Sequence, residues 1–432
     1  MQTHDDALNR SLFLMFPACV MSLGWAFRGF IGGGPLGAMI PGAMVAIVVA
    51  WLLGRHAGES GVVAAFGAIG IGFGGQMTYG QTVGLASDPA TMPWGLLGLA
   101  LKGAIWGLLG GAVIGLALTI RRYTRVQVAG GLALMLAATW AGWRFVNLPK
   151  LIYFSNRFDR PREELWAGLL AGAIVLLAWL LMLRKNAPLL RFSVASFVGG
   201  GLGFGLGGVL LAAGRNSPLD PAYWPWWKGM EYTFGLLFGL AIGWAAWRSR
   251  DELAGESPAG HAEPLRGVPL LLAAILAIGV GVSFEYAVPL RFNYSVIGAG
   301  LLVVALCEEG LAWHLAVTMT YFAFAVDLAE AFAGDLAFGP MWAGWIFAIT
   351  TSLIVWYVLE TWREWGIDLL PRAFLLVTLS AFAIASAKTA MQMLRQSGPH
   401  VEYPLFVVAT ALVCWLFGRW QQRTGRASFV KA

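Results

Sequence analysis

Runs of about 20 mainly apolar residues alternate with short polar turns along almost the whole chain, and that is the length a helix needs to cross a bilayer. The pattern predicts an all-α, polytopic membrane protein of about fourteen transmembrane helices. They fall near residues 11–31, 36–53, 61–85, 94–120, 126–147, 164–183, 190–213, 224–247, 268–288, 294–312, 313–333, 338–360, 370–390 and 403–420. One stretch has the character of a soluble linker: residues 248–267, RSRDELAGESPAGHAEPLRG, mix charges with Gly, Pro and Ser and show no apolar period. It separates an eight-helix region, 1–247, from a six-helix region, 268–432.

The front region repeats itself. The stretch GFGGQMTYGQTVGLASDPATMPWGLLGLALKGAIWG from Gly72 aligns, with gaps, against GFGLGGVLLAAGRNSPLDPAYWPWWKGMEYTFG from Gly203. Both run from a glycine-rich span through an Asp-Pro turn (Asp88-Pro89, Asp220-Pro221) and a Pro-Trp entry (Pro93-Trp94, Pro225-Trp226). Each then reaches Lys-Gly with an aromatic, Trp106 or Tyr232, beyond it. Upstream, SLGWAFRGF and TWAGWRFVN share Gly-Trp followed by Arg. We expect a parallel duplication of a four-helix unit, about 11–120 and 126–247, because four spans return a chain to its starting side. Such repeats are common in transporters, whose sites lie on interrupted helices near the midplane.

Composition agrees with the pattern: 58% of the residues are hydrophobic and 12% charged, about half the charged share of soluble domains. Cys19, Cys307 and Cys414 are far apart in apolar segments and point to neither a disulfide framework nor a metal cluster. The net charge of +6 does not imply a nucleic-acid partner, since Lys and Arg gather in the even-numbered loops and the tails. That bias expects both termini in the cytoplasm of a multi-pass protein of the cell membrane. The first apolar run leads into glycines rather than a small-residue cleavage site, so no removable signal peptide is expected. Residues 147–164, NLPKLIYFSNRFDRPREE, dissent: they would be external, yet they carry Lys150, Arg157, Arg160 and Arg162, partly balanced by Asp159, Glu163 and Glu164.

Candidate chemistry sits where hydrocarbon should exclude it. Residues 72–85, GFGGQMTYGQTVGL, place Gln76, Thr78, Tyr79, Gln81 and Thr82 among glycines. One reading is a broken segment that turns these groups to a polar solute, since irregular backbone at membrane depth is tolerated beside protein or a water-filled cavity. The other is a closely packed helix. The four-residue spacing of Gly103, Gly107, Gly111 and Gly115, matched by Gly235, Gly239 and Gly243, belongs to helix packing. Arg28 and Lys102 lie deep in their spans, beside Trp25 and Trp106, and a charge there costs at least about 2.5 kcal/mol on insertion scales. Each therefore has a carboxylate partner, expected from the back region, or faces a cavity. Lys228 and Glu231 are spaced for an i,i+3 pair. In the back region Asp327 and Glu330 share one helix face near His314 and suit a cation or proton relay.

Catalytic signatures are missing. There is no His-Glu-x-x-His, no Gly-x-x-x-x-Gly-Lys-Ser/Thr and no Gly-x-Ser-x-Gly. CEEGLAWH begins like the Glu-Glu motif of the intramembrane CPBP-type proteases, but Trp313 stands where that motif has Arg. The leading expectation is a secondary transporter of a small anionic organic solute, coupled to H+ or Na+, with no cofactor and no metal. Arg28, Gln76, Thr78, Tyr79, Gln81, Thr82, Lys102, Trp106, Lys228 and Glu231 would bind the solute; Asp327, Glu330 and His314 would couple the ion. The bilayer and the solute are the expected partners, with a second copy of the chain as a further candidate. A membrane-embedded enzyme or accessory protein acting on a lipid-linked substrate, and a structural subunit of a membrane complex, are the alternatives.

Overall fold

The computed structural model of the chain describes residues 2–156, 162–218, 224–254, 293–307, 309–330, 341–366, 368–395 and 401–429. Every regular element among them is helical. In chain order these are α1 Gln2–Ile31, α2 Gly34–Leu52, α3 Ala57–Gly74, α4 Gly80–Ser87, α5 Met92–Leu118, α6 Arg125–Gly142, α7 Trp166–Leu183, α8 Ala187–Arg215 and α9 Trp226–Ala254. The back region contributes α10 Asn293–Cys307, α11 Glu309–Trp313, α12 Met319–Glu330, α13 Met341–Glu364, α14 Leu369–Arg395 and α15 Glu402–Phe429. Two π-helical segments, Trp143–Asn147 and His314–Thr318, extend α6 and join α11 to α12.

Among the described residues, nine helices are long and apolar enough to cross a membrane. They match the expected spans at 11–31, 36–53, 94–120, 126–147, 164–183, 190–213, 338–360, 370–390 and 403–420. The rest of the expectation is altered in detail. The span at 61–85 is two helices, α3 and α4; those at 294–312 and 313–333 are the shorter apolar helices Tyr294–Cys307 and Gly310–Val326. The helix expected at 224–247 belongs to α9, outside the nine, and 268–288 lies outside the described residues.

Local chemistry sets the helix starts. Proline stands in the first turn of α2, α5 and α8, where its missing N–H would have had no helical partner. Thr124 and Gln127 form a reciprocal capping box on α6. Asn186 caps α8 by accepting from Leu189 N–H at 3.1 Å, while its amide donates to Thr119 Oγ1 at 2.8 Å and Tyr123 OH at 3.1 Å. Gly32 and Gly34, at φ 142° and 71°, make the turn between α1 and α2.

Helix α2 is apolar all round and is buried from Leu36 to Leu52, as befits a central helix. The glycine stripes are contact surfaces. A Cβ on Gly103, Gly107 or Gly111 would collide with backbone of α8 at Gly200, Ser196 or Phe192. One on Gly235, Gly239 or Gly243 would collide with backbone of α1 at Met21, Pro17 or Phe13. Removing side chains lets these backbones approach closely, which is how helices associate where solvent offers no hydrophobic drive. The outer face of α8, with Val194, Val198, Leu202 and Leu206 exposed, suits lipid.

Gly107→Val should therefore lower stability by about 1–3 kcal/mol, as overpacking does, measured by thermal unfolding in detergent. Gly300→Ala, where a Cβ meets open space, should be neutral or stabilising by up to about 1 kcal/mol.

Candidate functional site

The polar stretch at 72–85 breaks its helix. After Gly74, three tight bonds close the chain: Gly75 N–H to Gly72 O at 2.8 Å, Gln76 N–H to Phe73 O at 3.3 Å and Met77 N–H to Gly74 O at 3.0 Å. Helix then resumes at Gly80. The interruption is deep. Trp106 lies near the middle of the 27-residue α5 and donates from Nε1 to Ile71 O at 2.7 Å, while its ring closes over Gly74. At a rise of 1.5 Å per residue, that point is roughly 20 Å from either end of α5. The interruption between α3 and α4 thus lies alongside the middle of α5, a helix long and apolar enough to cross a membrane.

Lys102 holds the gap. Its ammonium donates to Thr78 O at 2.5 Å, Thr82 Oγ1 at 2.8 Å and Glu164 Oε1 at 2.7 Å, and both charged side chains are buried. Glu164 completes the node by accepting from Phe154 N–H at 3.0 Å and Ser155 Oγ at 3.0 Å. Thr82 donates to Phe154 O at 2.7 Å and Thr78 to Glu163 O at 3.1 Å. The dissenting stretch 147–164 is therefore folded inward at its described ends. This corrects the expected source of the counter-ion: Lys102 is paired within the front region, not with an acid of the back region.

Arg28 is placed differently. It is buried in the last turn of α1, and no carboxylate among the described residues reaches it. Its guanidinium lies 5.2, 5.5 and 5.4 Å from the ring centroids of Trp25, Tyr79 and Trp106. Nη1 donates to Tyr79 OH at 2.7 Å and Nη2 to Gly34 O at 3.3 Å. Nε is buried without a hydrogen-bond partner among the described residues. An aromatic box with one hydroxyl and one carbonyl stabilises the cation through quadrupoles and dipoles, with no carboxylate among the described residues to cancel its charge.

Two lysines join it at the negative end of the α1 dipole. Lys228 Nζ donates to Ala26 O at 2.9 Å and Lys388 Nζ to Phe30 O at 2.7 Å, as cations do at helix C-termini. The expected i,i+3 pair is present: Lys228 Nζ to Glu231 Oε2 is 2.6 Å, with Trp227 Nε1 donating to Glu231 Oε1 at 3.0 Å. Gly29 gives this pair its room, since a Cβ there would strike it.

The remaining expected residues divide. Gln76 is a cross-link to the back region, donating to Ser295 Oγ at 2.8 Å and accepting from Ser295 N–H at 3.2 Å. Gln81 is half-buried on the first turn of α4. His314 is buried far from the gap, 2.8 Å from Glu360 Oε1. Asp327 and Glu330 end α12, and their side chains lie outside the described residues. Sequence reasoning missed Glu164, Ser295 and Arg363 as site partners. Glu164 carried a usable signal, an acid immediately before an apolar run in a loop already out of pattern. No three or more His, Cys, Asp and Glu gather as metal ligands among the described residues.

Lys102→Met strands a buried carboxylate, and the cost of breaking such a pair is about 3–5 kcal/mol. Thermal unfolding of Lys102→Met, Glu164→Leu and the double variant should show the double variant more stable than Lys102→Met alone. The chain matches no known family model, no curated protein and no solved structure, so its function rests on the chemistry of these residues.

Proposed function

We propose that the chain is a secondary transporter of a small anionic organic solute in the cell membrane, with both termini cytoplasmic. In this reading it has about fourteen spans, eight of them from a duplicated four-helix unit. The observation that carries the proposal is the mid-depth helix gap beside Arg28, a buried cation without a carboxylate partner among the described residues. Interrupted helices near the midplane are the recurrent way in which transporters present ligand-binding backbone.

The roles follow from what each group has left to offer. Arg28 has five N–H donors in a planar fork, and two of its nitrogens hold only a neutral hydroxyl and a carbonyl. A carboxylate competes well for such donors, because charge-assisted bonds are roughly twice as strong as neutral ones. The first turn of α4 begins at Gly80, and its cap residue Tyr79 supplies no side-chain acceptor, which leaves the positive end of a short dipole facing the same gap. Open space borders the site: a Cβ on Gly33, Gly34 or Gly80 would meet nothing within 4 Å. Trp25 and Trp106 give the solute an apolar wall. Lys102, Thr78 and Thr82 keep the gap in shape, and Gln76 transmits its position to α10 through Ser295.

The enzyme or accessory reading for a lipid-linked substrate draws support from one feature, the inward fold of 147–164 onto the gap. The two readings differ in product. A transporter moves its solute unchanged across a sealed membrane.

Proteoliposomes containing the purified chain should accumulate small mono- or dicarboxylates under a pH or Na+ gradient. Arg28→Ala should reduce uptake at least tenfold, the loss of about 1.4 kcal/mol or more of binding, and Arg28→Lys should restore little of it because the fork is lost. Uptake by Arg28→Ala equal to that of the unaltered chain would remove the proposal.

A further inference from the structure

At the other end of the fold is a second buried charge cluster. Trp313 packs on Gly61 of α3, near the start of that helix, whereas the gap follows its end. The two regions are therefore roughly 20 Å apart along α3. His314 opens the π-helical segment, where Met319 N–H reaches back to His314 O. Such one-turn π segments are frequent at functional sites.

The bonding pattern assigns the protons. Glu360 Oε1 lies 2.8 Å from His314 Nε2 and 3.0 Å from Arg363 Nη1. The Arg363 guanidinium only donates, so Glu360 Oε1 accepts from it. A carboxylate only accepts, so His314 donates from Nε2, and its neutral form carries a bare lone pair on Nδ1. That Nδ1 is buried without a partner among the described residues, as are Glu360 Oε2 and the indole N–H of Trp356. The Trp356 ring meets the imidazole edge-on at 5.2 Å. Glu360 and Arg363 of α13 are the charges that act on His314 among the described residues. Glu308 and the side chain of Glu309, beside the same helix, lie outside them.

We propose that the coupling ion is a proton, and that it binds at Nδ1 of His314 within the His314–Glu360–Arg363 cluster. This inference rests on the transporter reading. The proton comes from the aqueous phase by way of the exposed end of α13, where Glu364, Trp365 and Gly366 face outward one turn past Glu360. It adds to the Nδ1 lone pair, the Nε2–H bond to Glu360 persists, and no other group changes charge. The cluster goes from neutral to +1. A bound solute carboxylate at Arg28 brings −1, so a monoanion and a proton load the carrier without net charge. Sodium does not fit the same cluster, because a hard cation needs several free oxygen ligands. Here one carboxylate oxygen is already shared by an imidazole and a guanidinium.

The test has two arms. In the first, His4, His56, His261 and His400 are replaced by Asn, leaving His314 as the single histidine, and 15N-histidine NMR is recorded in nanodiscs from pH 9 to pH 5. The expected result is that Nδ1 changes from bare to protonated as pH falls while Nε2 stays protonated throughout. An unchanged spectrum across that range overturns the proposal. In the second, His314→Gln, which keeps a donor for Glu360 but cannot titrate, should lose pH-driven accumulation of carboxylates at least tenfold yet retain solute exchange at equal pH. Accumulation by His314→Gln equal to that of the unaltered chain, or accumulation driven by Na+ alone, overturns it. A titrating His314 with no anion uptake by any variant counts against the transporter reading and for the proton site.

Discussion

A polar group inside a bilayer must find its partner within the protein, and the fold is arranged around the place where that rule is hardest to satisfy. Interrupting a helix at mid-depth frees backbone carbonyls and amides that have no water to turn to. The Lys102–Glu164 pair resolves this. One ammonium serves a freed carbonyl at Thr78, a hydroxyl at Thr82 and a carboxylate, and the carboxylate in turn serves a backbone N–H and a serine. Every member of the node satisfies another, so the ion pair is a bonding hub more than a source of Coulomb energy. That is the condition under which a buried pair is tolerated at all.

Once the gap is fixed, the surrounding elements have little freedom. The described ends of segment 147–164 must fold inward to deliver Glu163 and Glu164 to the gap. Helix α5 must stand close to α8, and its glycines permit that. Helix α1 must end beside the gap, where its negative dipole end collects Lys228 and Lys388. The electrostatic result is uneven. Among the described residues, Lys102 and Lys228 are each balanced by an acid, and Arg28 is met by aromatic faces and neutral oxygens. Among the described residues, then, the cation without an acid partner sits against the non-helical backbone at 75–79.

Much of the fold was legible from periodicity, because a bilayer imposes a length and a polarity that any span must show. Nine expected spans reappear as helices of the right length, and the glycine stripes of α5 and α9 pack as their spacing implied. The pair Lys228–Glu231 was legible because helical spacing makes it local. The partners of Lys102, Gln76 and His314 were not, since Glu164, Ser295 and Glu360 are brought to them by tertiary packing across 62, 219 and 46 residues. Spacing along one chain cannot choose among many acids at such separations. The same limit explains why a back-region acid was expected for Lys102 when a nearer one supplied it.

Glycine content alone does not explain the gap, and helix α8 shows why. The stretch that resembles 72–85 in sequence holds Gly203, Gly205, Gly207 and Gly208, preceded by Gly199, Gly200 and Gly201, yet α8 is continuous from Ala187 to Arg215. Seven glycines at about 1 kcal/mol each relative to alanine have not broken it. What α8 lacks is a set of alternative partners. No Gln or Thr follows its glycines, and Lys228, which stands where Lys102 stands in the matching stretch, is engaged by Glu231 on its own helix and by α1. A helix opens when its freed groups gain better partners than they lose, so glycine permits the gap at 75–79 while Lys102, Glu164 and the threonines create it. The two similar stretches then differ for a physical reason: one keeps its hydrogen bonds to itself, and the other hands them to a charged node beside the buried Arg28 and the first turn of α4.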